Sequence, residues 1–121
     1  MSRRTVAIVD DQRFICETLE SMLKNTYEVC TFVSGEAAVN FITQQPVDII
    51  LLDYDMPKMS GYEVLLAIKA NAATSAIPVI FLTADTNEHM KKEMMTRGAA
   101  DYICKPIDST LLHGAIKKYL P

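Results

Sequence analysis

Polar side chains that suit phosphate chemistry follow several apolar runs of this sequence. Asp10 and Asp11 follow "TVAIV", Asp53 follows "VDIILL", Thr83 follows "VIFL", and Lys105 follows "DYIC". Carboxylates that crowd together repel and raise one another's pKa unless a cation joins them. Oxygen ligands without His or Cys favour a hard, partly hydrated ion, so the three acids predict a site for Mg²⁺ (or Mn²⁺).

The same residues predict what the site would do with a phosphoryl group. The carboxylate of Asp53 can attack phosphorus as a nucleophile, which gives an acyl phosphate. Lys105 offers a fixed positive charge, and Thr83 offers a hydroxyl donor, for the phosphoryl oxygens. The set therefore indicates phosphoryl transfer onto an aspartate, with metal and lysine stabilising the charge.

Bringing these side chains together requires a scaffold in which strand ends meet. Apolar runs of strand length alternate with amphipathic stretches of helix length. The predicted strands are 5–9, 27–33, 47–53, 77–84 and 100–106. The first helix is predicted over 13–25, the second begins at Ser34-Gly35, and the third runs from the capping box Ser60-x-x-Glu63 to about Asn71. The fourth helix is predicted over 86–97, and the last has a buried face of Leu112, Ala115, Ile116 and Tyr119. Such alternation predicts an α/β fold, a doubly wound parallel sheet of five strands with five helices on its two faces. Ligands of such sheets bind at the carboxyl ends of the strands.

Composition bounds the class of protein. The 121 residues suit one domain, and the net charge of −3 without a basic block argues against direct nucleic-acid binding. The three cysteines are far apart, so neither a disulfide framework nor a zinc site is predicted. No run reaches the roughly 20 apolar residues of a membrane span or has the form of a signal peptide, so we expect a soluble, cytoplasmic protein with no membrane partner.

Together these motifs resemble the receiver domain of two-component response regulators, of the chemotaxis-receiver type. The acidic pair at 10–11, "LLDYDMPKMSG" at 51–61, "LTA" at 82–84 and "KP" at 105–106 fall in the family's order and spacing. The resemblance covers the whole chain, so residues 1–121 are expected to form a single receiver domain. It implies a flavodoxin-like sheet with strand order 2-1-3-4-5.

The resemblance also implies the role of each acid. Asp53 would be the phospho-acceptor. Asp11, Asp53 and the backbone carbonyl of Asp55 would coordinate Mg²⁺, while Asp10 would support the metal indirectly. The side chains of Asp55 and Asp85 would tune the lifetime of the phosphoryl group.

Further roles follow from the same resemblance. Lys105 and Thr83 would bind the phosphoryl oxygens, and the small Ala84 would leave the site open. Pro106 is expected to follow a cis peptide bond. Tyr102 matches the switch aromatic, which turns inward when Thr83 moves toward the phosphoryl group.

The implied function is a phosphorylation-activated signalling switch. A sensor histidine kinase or a phosphotransfer protein would donate the phosphoryl group, and the domain would assist its own phosphorylation and dephosphorylation without being an enzyme otherwise. The signal would leave through the fourth helix, fifth strand and fifth helix, toward an output domain or protein. That face could also form a homodimer. Phe14, beside the acidic pair, is a candidate for kinase docking or a flank of the core.

Two alternatives stay open at this point. The pair Asp53 and Asp55 forms a DxD motif as in haloacid-dehalogenase-like phosphatases, although their DxD lies on the first strand and their acidic pair comes last. The second alternative is a pseudo-receiver that binds partners without being phosphorylated. His89 and His113 lie on predicted helices away from the strand ends, where solvated faces are expected.

Overall fold

A computed structural model of the protein describes residues 3–84 and 87–120, and within these ranges strands and helices alternate strictly. The elements are β1 (Thr5–Val9), α1 (Arg13–Leu23), β2 (Glu28–Phe32), α2 (Gly35–Gln44), β3 (Ile49–Asp53), α3 (Gly61–Ala70), β4 (Val79–Thr83), α4 (Glu88–Thr96), β5 (Asp101–Cys104) and α5 (Ser109–Tyr119). The predicted order of elements is confirmed, although four of the strands are shorter than predicted.

The five strands form one parallel sheet in the order β2-β1-β3-β4-β5. This confirms the doubly wound, flavodoxin-like fold. Every residue of β3 and β4 is buried, as expected of central strands with helices on both faces. The chain winds outward from β1 in one direction to β2 and in the other to β3, which creates the crevice where such sheets bind ligands.

The core lies in two clusters, one on each face of the sheet. Alternate residues of β1 point to opposite faces: Ala7 and Val9 join one cluster, whereas Val6 and Ile8 join the other. Helices α2, α3 and α4 cover the first face, and α1 and α5 cover the second. The carboxyl ends of the strands lie at one edge of the sheet, between the helices of the two faces, and this edge can hold a site.

Side chains on α4 and α5 differ in how deeply they are buried. Met94 of α4 is buried, but Met90 is only partly buried. His113 was expected on a solvated face, and this expectation is wrong: its side chain is half-buried, with Nε2 3.0 Å from the carbonyl oxygen of Met22 in α1. None of the described helices is long and apolar enough to span a membrane.

Candidate functional site: an acidic crevice at the carboxyl edge of the sheet

Four strands deliver polar residues to one edge of the sheet. Asp10 directly follows β1, Asp53 is the last residue of β3, Thr83 ends β4, and Lys105 directly follows β5. The parallel register aligns these ends, since β3 stops one residue short of β4's last position and Thr83 pairs with Cys104. The predicted convergence is therefore observed for these positions.

Lys105 bridges two carboxylates. Its Nζ lies 3.1 Å from Oδ2 of Asp10 and 3.3 Å from Oδ1 of Asp53. The bond between Lys105 and Pro106 is cis, as the sequence predicted. The ammonium of Lys105 therefore contacts the carboxylates of Asp10 and Asp53 directly.

Asp10 is fully buried, with a protein donor for each carboxylate oxygen. The backbone N–H of Gln12 donates to Oδ1 at 2.9 Å, and Lys105 donates to Oδ2. Asp11, in contrast, is exposed. Asp10, Asp11 and Asp53 can each place one oxygen within 4.8 Å of the others. Both oxygens of Asp10 thus accept a hydrogen bond from the protein, whereas the hydrogen bonds to Asp53 from Lys105 and from the N–H of Asp55 both reach its Oδ1.

The environment raises the pKa of Asp53 to about 6, from an ordinary value of 3.8. Burial is the largest cause, and the negative charge of Asp10 adds to it, while the ammonium of Lys105 and the backbone N–H of Asp55 act in the opposite direction. The positive charge of Lys105 alone therefore does not balance the negative charges of the acids. Carboxylate oxygens in excess of positive charge are a donor set that fits a divalent hard cation.

The β3–α3 loop contacts Asp53 and borders the crevice. The N–H of Asp55 is 3.4 Å from Oδ1 of Asp53, and Asp55 itself is exposed. Lys58 has a φ of 65°, and the N–H of Met59 donates to the carbonyl of Pro57 at 2.8 Å, so the chain makes a γ-turn there. A cavity of about 210 Å³ opens between this loop, Asp11 and the start of α2.

Gly61, the first residue of α3, presses against the end of β3. A Cβ at this position would lie 2.3 Å from the carbonyl oxygen of Asp53 and 2.8 Å from Cα of Tyr54. The predicted capping box is present, because Ser60 accepts from the N–H of Glu63 and Glu63 accepts from the N–H of Ser60. The glycine and the cap together fix where the helix begins relative to Asp53.

The other residues that were predicted to contribute to the site differ in burial. Thr83 is buried, and its carbonyl accepts the N–H of Lys105 at 2.8 Å, whereas Ala84 is exposed. Tyr102 is half-buried on β5. Asp85 lies outside the described residues. Phe14 is 75% exposed on α1, which agrees with the docking alternative and not with a flank of the core.

Two residues of the crevice and its surroundings were missed by sequence reasoning. Gly61 could have been found from the "MSG" that precedes an evident helix start. Lys91 of α4 lies over the ring of Tyr102, with Nζ 4.8 Å from the ring centroid. Nothing in the sequence of a charged surface helix indicates which lysine faces β5.

Comparison with known proteins identifies the family. Residues 6–117 match the model of the response regulator receiver domain. The chain belongs to the response-regulator receiver family. In this receiver domain the acidic pair follows the first strand and the DxD motif begins at the end of the third. The phosphatase alternative requires the opposite order, with the DxD motif on the first strand, so it is rejected.

Relatives and solved structures agree with this assignment. A probable cyclic di-GMP phosphodiesterase of Vibrio cholerae is 38% identical over 120 residues, which are 99% of this chain and 27% of that protein. The chemotaxis protein CheY4 of Vibrio cholerae matches with a TM-score of 0.93 at 28% identity, over 98% of this chain and 100% of that one. The receiver domain therefore spans only about a quarter of that curated relative.

A magnesium-containing structure is also similar to the receiver domain. The receiver domain of the sensor histidine kinase PA1611 from Pseudomonas aeruginosa, solved with a magnesium ion coordinated in the active site cleft, matches with a TM-score of 0.89. The two are 26% identical, and the match covers 98% of each chain. A receiver domain with a similar fold thus coordinates magnesium in its active site cleft.

Proposed function

We propose that this receiver domain is a signalling switch that is activated when Asp53 accepts a phosphoryl group in a magnesium-dependent reaction. The observation that carries the proposal is the position of the Asp53 carboxylate. It lies at the end of a buried central strand, within 3.3 Å of the Lys105 ammonium and within reach of two further acids. A structural ion pair would require only one acid for the lysine.

In the proposed step, a carboxylate oxygen of Asp53 attacks the phosphorus of a phosphohistidine. The O–P bond forms as the P–N bond breaks, and the electron pair of that bond returns to the imidazole nitrogen of the donor. The ammonium of Lys105 and the hydroxyl of Thr83 bind the phosphoryl oxygens as their negative charge is redistributed. Hydrolysis reverses the state when water attacks phosphorus, which releases inorganic phosphate and restores the carboxylate.

Asp11 and Asp53 would hold Mg²⁺, together with the backbone carbonyl of Asp55. The fit rests on the donor set, which consists of oxygen atoms only and carries more negative charge than Lys105 balances. When bound, the ion supplies positive charge beside the phosphoryl oxygens. Asp10 would act indirectly, because its own oxygens are engaged by Lys105 and by the N–H of Gln12.

The phosphoryl group would be read out by Thr83 and Tyr102 through the face formed by α4, β5 and α5. The donor would be a sensor histidine kinase or a phosphotransfer protein, with Phe14 as a docking residue, and the receiver of the signal would be an output domain or protein. A homodimer could form through the same face. The domain, residues 1–121, would meet these partners in the cytoplasm. The side chains of Asp55 and Asp85 would tune the phosphoryl lifetime.

The proposal is tested by intact-protein mass spectrometry after treatment with acetyl phosphate and MgCl₂. We expect one phosphoryl group per chain, none on Asp53→Asn, and none when EDTA replaces the metal. Asp55→Asn is the matched control, because it removes a neighbouring exposed carboxylate and should still be phosphorylated. An unlabelled wild-type chain would contradict the proposal and would favour the pseudo-receiver alternative.

A further inference from the structure

Helix α4 is attached to the domain by few apolar contacts. Met94 is the one buried residue among the nine of α4. Two cations of this helix region instead lie over aromatic rings of neighbouring elements. Lys91 Nζ is 4.8 Å from the ring centroid of Tyr102 in β5, and the Arg97 guanidinium carbon is 4.5 Å from that of Tyr62 in α3.

The Lys91 contact involves the residue to which the proposed function assigns the switch. The Lys91 side chain is only 15% exposed, although it is a lysine on a surface helix. Its Nζ is also 3.4 Å from Oε1 of Glu88, one turn earlier on the same helix. The ammonium is thereby held between a carboxylate and the face of the Tyr102 ring, where the ring's quadrupole attracts it.

We propose that Lys91 is a positioning residue that holds Tyr102 in the orientation seen here and opposes its inward rotation. The inference rests on the proposed function, because it concerns the switch role of Tyr102. A ring that turns inward must leave the ammonium and lose the attraction. From the usual strength of such contacts, Lys91 shifts the orientation equilibrium by about two- to fivefold toward the observed position.

A consequence for the distant crevice follows from linkage. If Tyr102 rotation and occupation of the phosphoryl site favour each other, a substitution that frees the ring must strengthen binding at that site, by at most the same factor. Among the described residues, the ion pair and the ring contact of Lys91 involve Glu88 and Tyr102 and no residue of the acidic crevice, so its removal breaks no polar contact within that crevice. The affinity for a phosphoryl analogue is therefore a readout that reports on the switch alone.

The experiment uses the full chain labelled with 3-fluorotyrosine. The protein contains five tyrosines and no tryptophan, so ¹⁹F NMR gives few signals, and Tyr102→Phe assigns the one of interest. Lys91→Met removes the charge and keeps the length of the side chain, and Lys91→Gln is a second neutral variant. Lys92→Met is the matched control, since Lys92 is the exposed neighbour on the same helix. Lys91→Arg keeps the cation and should restore wild-type behaviour.

Two results are expected. In untreated protein, Lys91→Met moves the Tyr102 signal part of the way toward its position in wild-type protein saturated with beryllofluoride and Mg²⁺. The dissociation constant for beryllofluoride falls by about two- to fivefold. Lys92→Met and Lys91→Arg match the wild type in both measurements.

The inference is overturned if Lys91→Met and Lys91→Gln behave as Lys92→Met does, or if Lys91→Arg fails to restore the signal. A beryllofluoride complex that leaves the Tyr102 signal in place also overturns it. Failure of Asp53 to accept a phosphoryl group is a separate outcome, which is read from the mass of the protein. If Asp53 is phosphorylated normally but the Tyr102 signal stays in place, the switch role of Tyr102 and the role of Lys91 are both removed, while Asp53 stays the phospho-acceptor. If Tyr102 moves in the wild type but Lys91→Met has no effect, only the role of Lys91 is removed.

Discussion

The carboxylate of Asp53 lies in a pocket that favours its protonated form. Burial and the charge of Asp10 together outweigh the attraction of Lys105, which raises the pKa of Asp53 to about 6. In the unfolded chain the carboxyl has its ordinary pKa of 3.8. The folded state therefore binds this proton more tightly, and ionisation of Asp53 reduces the free energy of unfolding.

We expect Asp53→Asn to be more stable than the wild type when metal is chelated. The contribution of protonated Asp53 to stability is fully present below pH 3.8 and is lost as the pH rises through about 6. A pKa difference of about 2 units corresponds to about 3 kcal/mol, which sets the upper bound of the gain at about pH 7.5. Urea unfolding should show this gain shrinking to well under 1 kcal/mol at about pH 4. A gain that is equal at both pH values would contradict the shifted pKa.

Lys105 carries a second prediction, because it is the cation paired with the fully buried Asp10. Lys105→Ala would leave that carboxylate and Asp53 without their positive partner, with an expected loss of roughly 3–5 kcal/mol. Thermal or urea unfolding without metal measures the loss. Mg²⁺ should recover part of it, since a bound cation again balances the acids.

Lys92→Ala is the control for this prediction. Lys92 is exposed, so removing it should change the free energy of unfolding by less than about 0.5 kcal/mol. Equal small effects of the two substitutions would show that the pair formed by Lys105 and Asp10 contributes little.

At the scale of elements, the start of α3 packs against the end of β3, where Asp53 lies. Gly61→Ala would place a methyl group 2.3 Å from the carbonyl oxygen of Asp53, and its nearest neighbours there are backbone atoms that cannot rotate away. The end of β3 and the start of α3 must then move apart, and the free energy of unfolding is expected to fall by about 1–3 kcal/mol. Phosphorylation by acetyl phosphate should slow roughly 10- to 100-fold, because a displaced nucleophile is poorly aligned.

The chain offers a matched glycine for comparison. Gly114 lies within α5, and a Cβ there would meet no atom within 4 Å. Gly114→Ala should therefore stabilise the protein by about 0.5–1 kcal/mol and leave the phosphorylation rate unchanged. If both substitutions had the same effect, close packing at Gly61 would not be what sets the start of α3.

For the whole molecule, the fold follows from a pattern that the sequence displays clearly. Strand-length runs that are apolar on both faces alternate with amphipathic stretches of helix length. This alternation predicts a parallel sheet, in which the carboxyl ends of all strands lie at one edge. The proximity of Asp53 and Lys105 was therefore predictable. The predicted strands were too long for a physical reason. Val47 and Ile77 precede β3 and β4 in irregular segments yet are buried, because the core extends beyond the hydrogen-bonded ladder.

Contacts that depend on the rotation of surface helices were not predictable in the same way. Lys91 and Lys92 are adjacent in sequence, and only the packing of α4 against β5 decides which one covers Tyr102. The half-buried His113 shows the same limit, since its partner is a backbone carbonyl of α1 that no sequence pattern marks. The spacing of apolar residues along a helix locates its buried face, but it does not show which polar side chains at the edges of that face make contacts.

Stability should be distributed unevenly over the molecule, and this is open to measurement by native-state hydrogen exchange. All residues of β3 and β4 are buried, so their amides should exchange only through global unfolding. Helix α4 has Met94 as its one buried residue, with Met90 partly buried against the core and two cations over aromatic rings, so its amides should exchange through local opening at a lower free energy. Lys91→Met should lower the protection of α4 further and leave that of β3 unchanged. Protection of α4 equal to that of β3 would mean that the helix opens only with the whole domain, and it could not then respond to Asp53 independently.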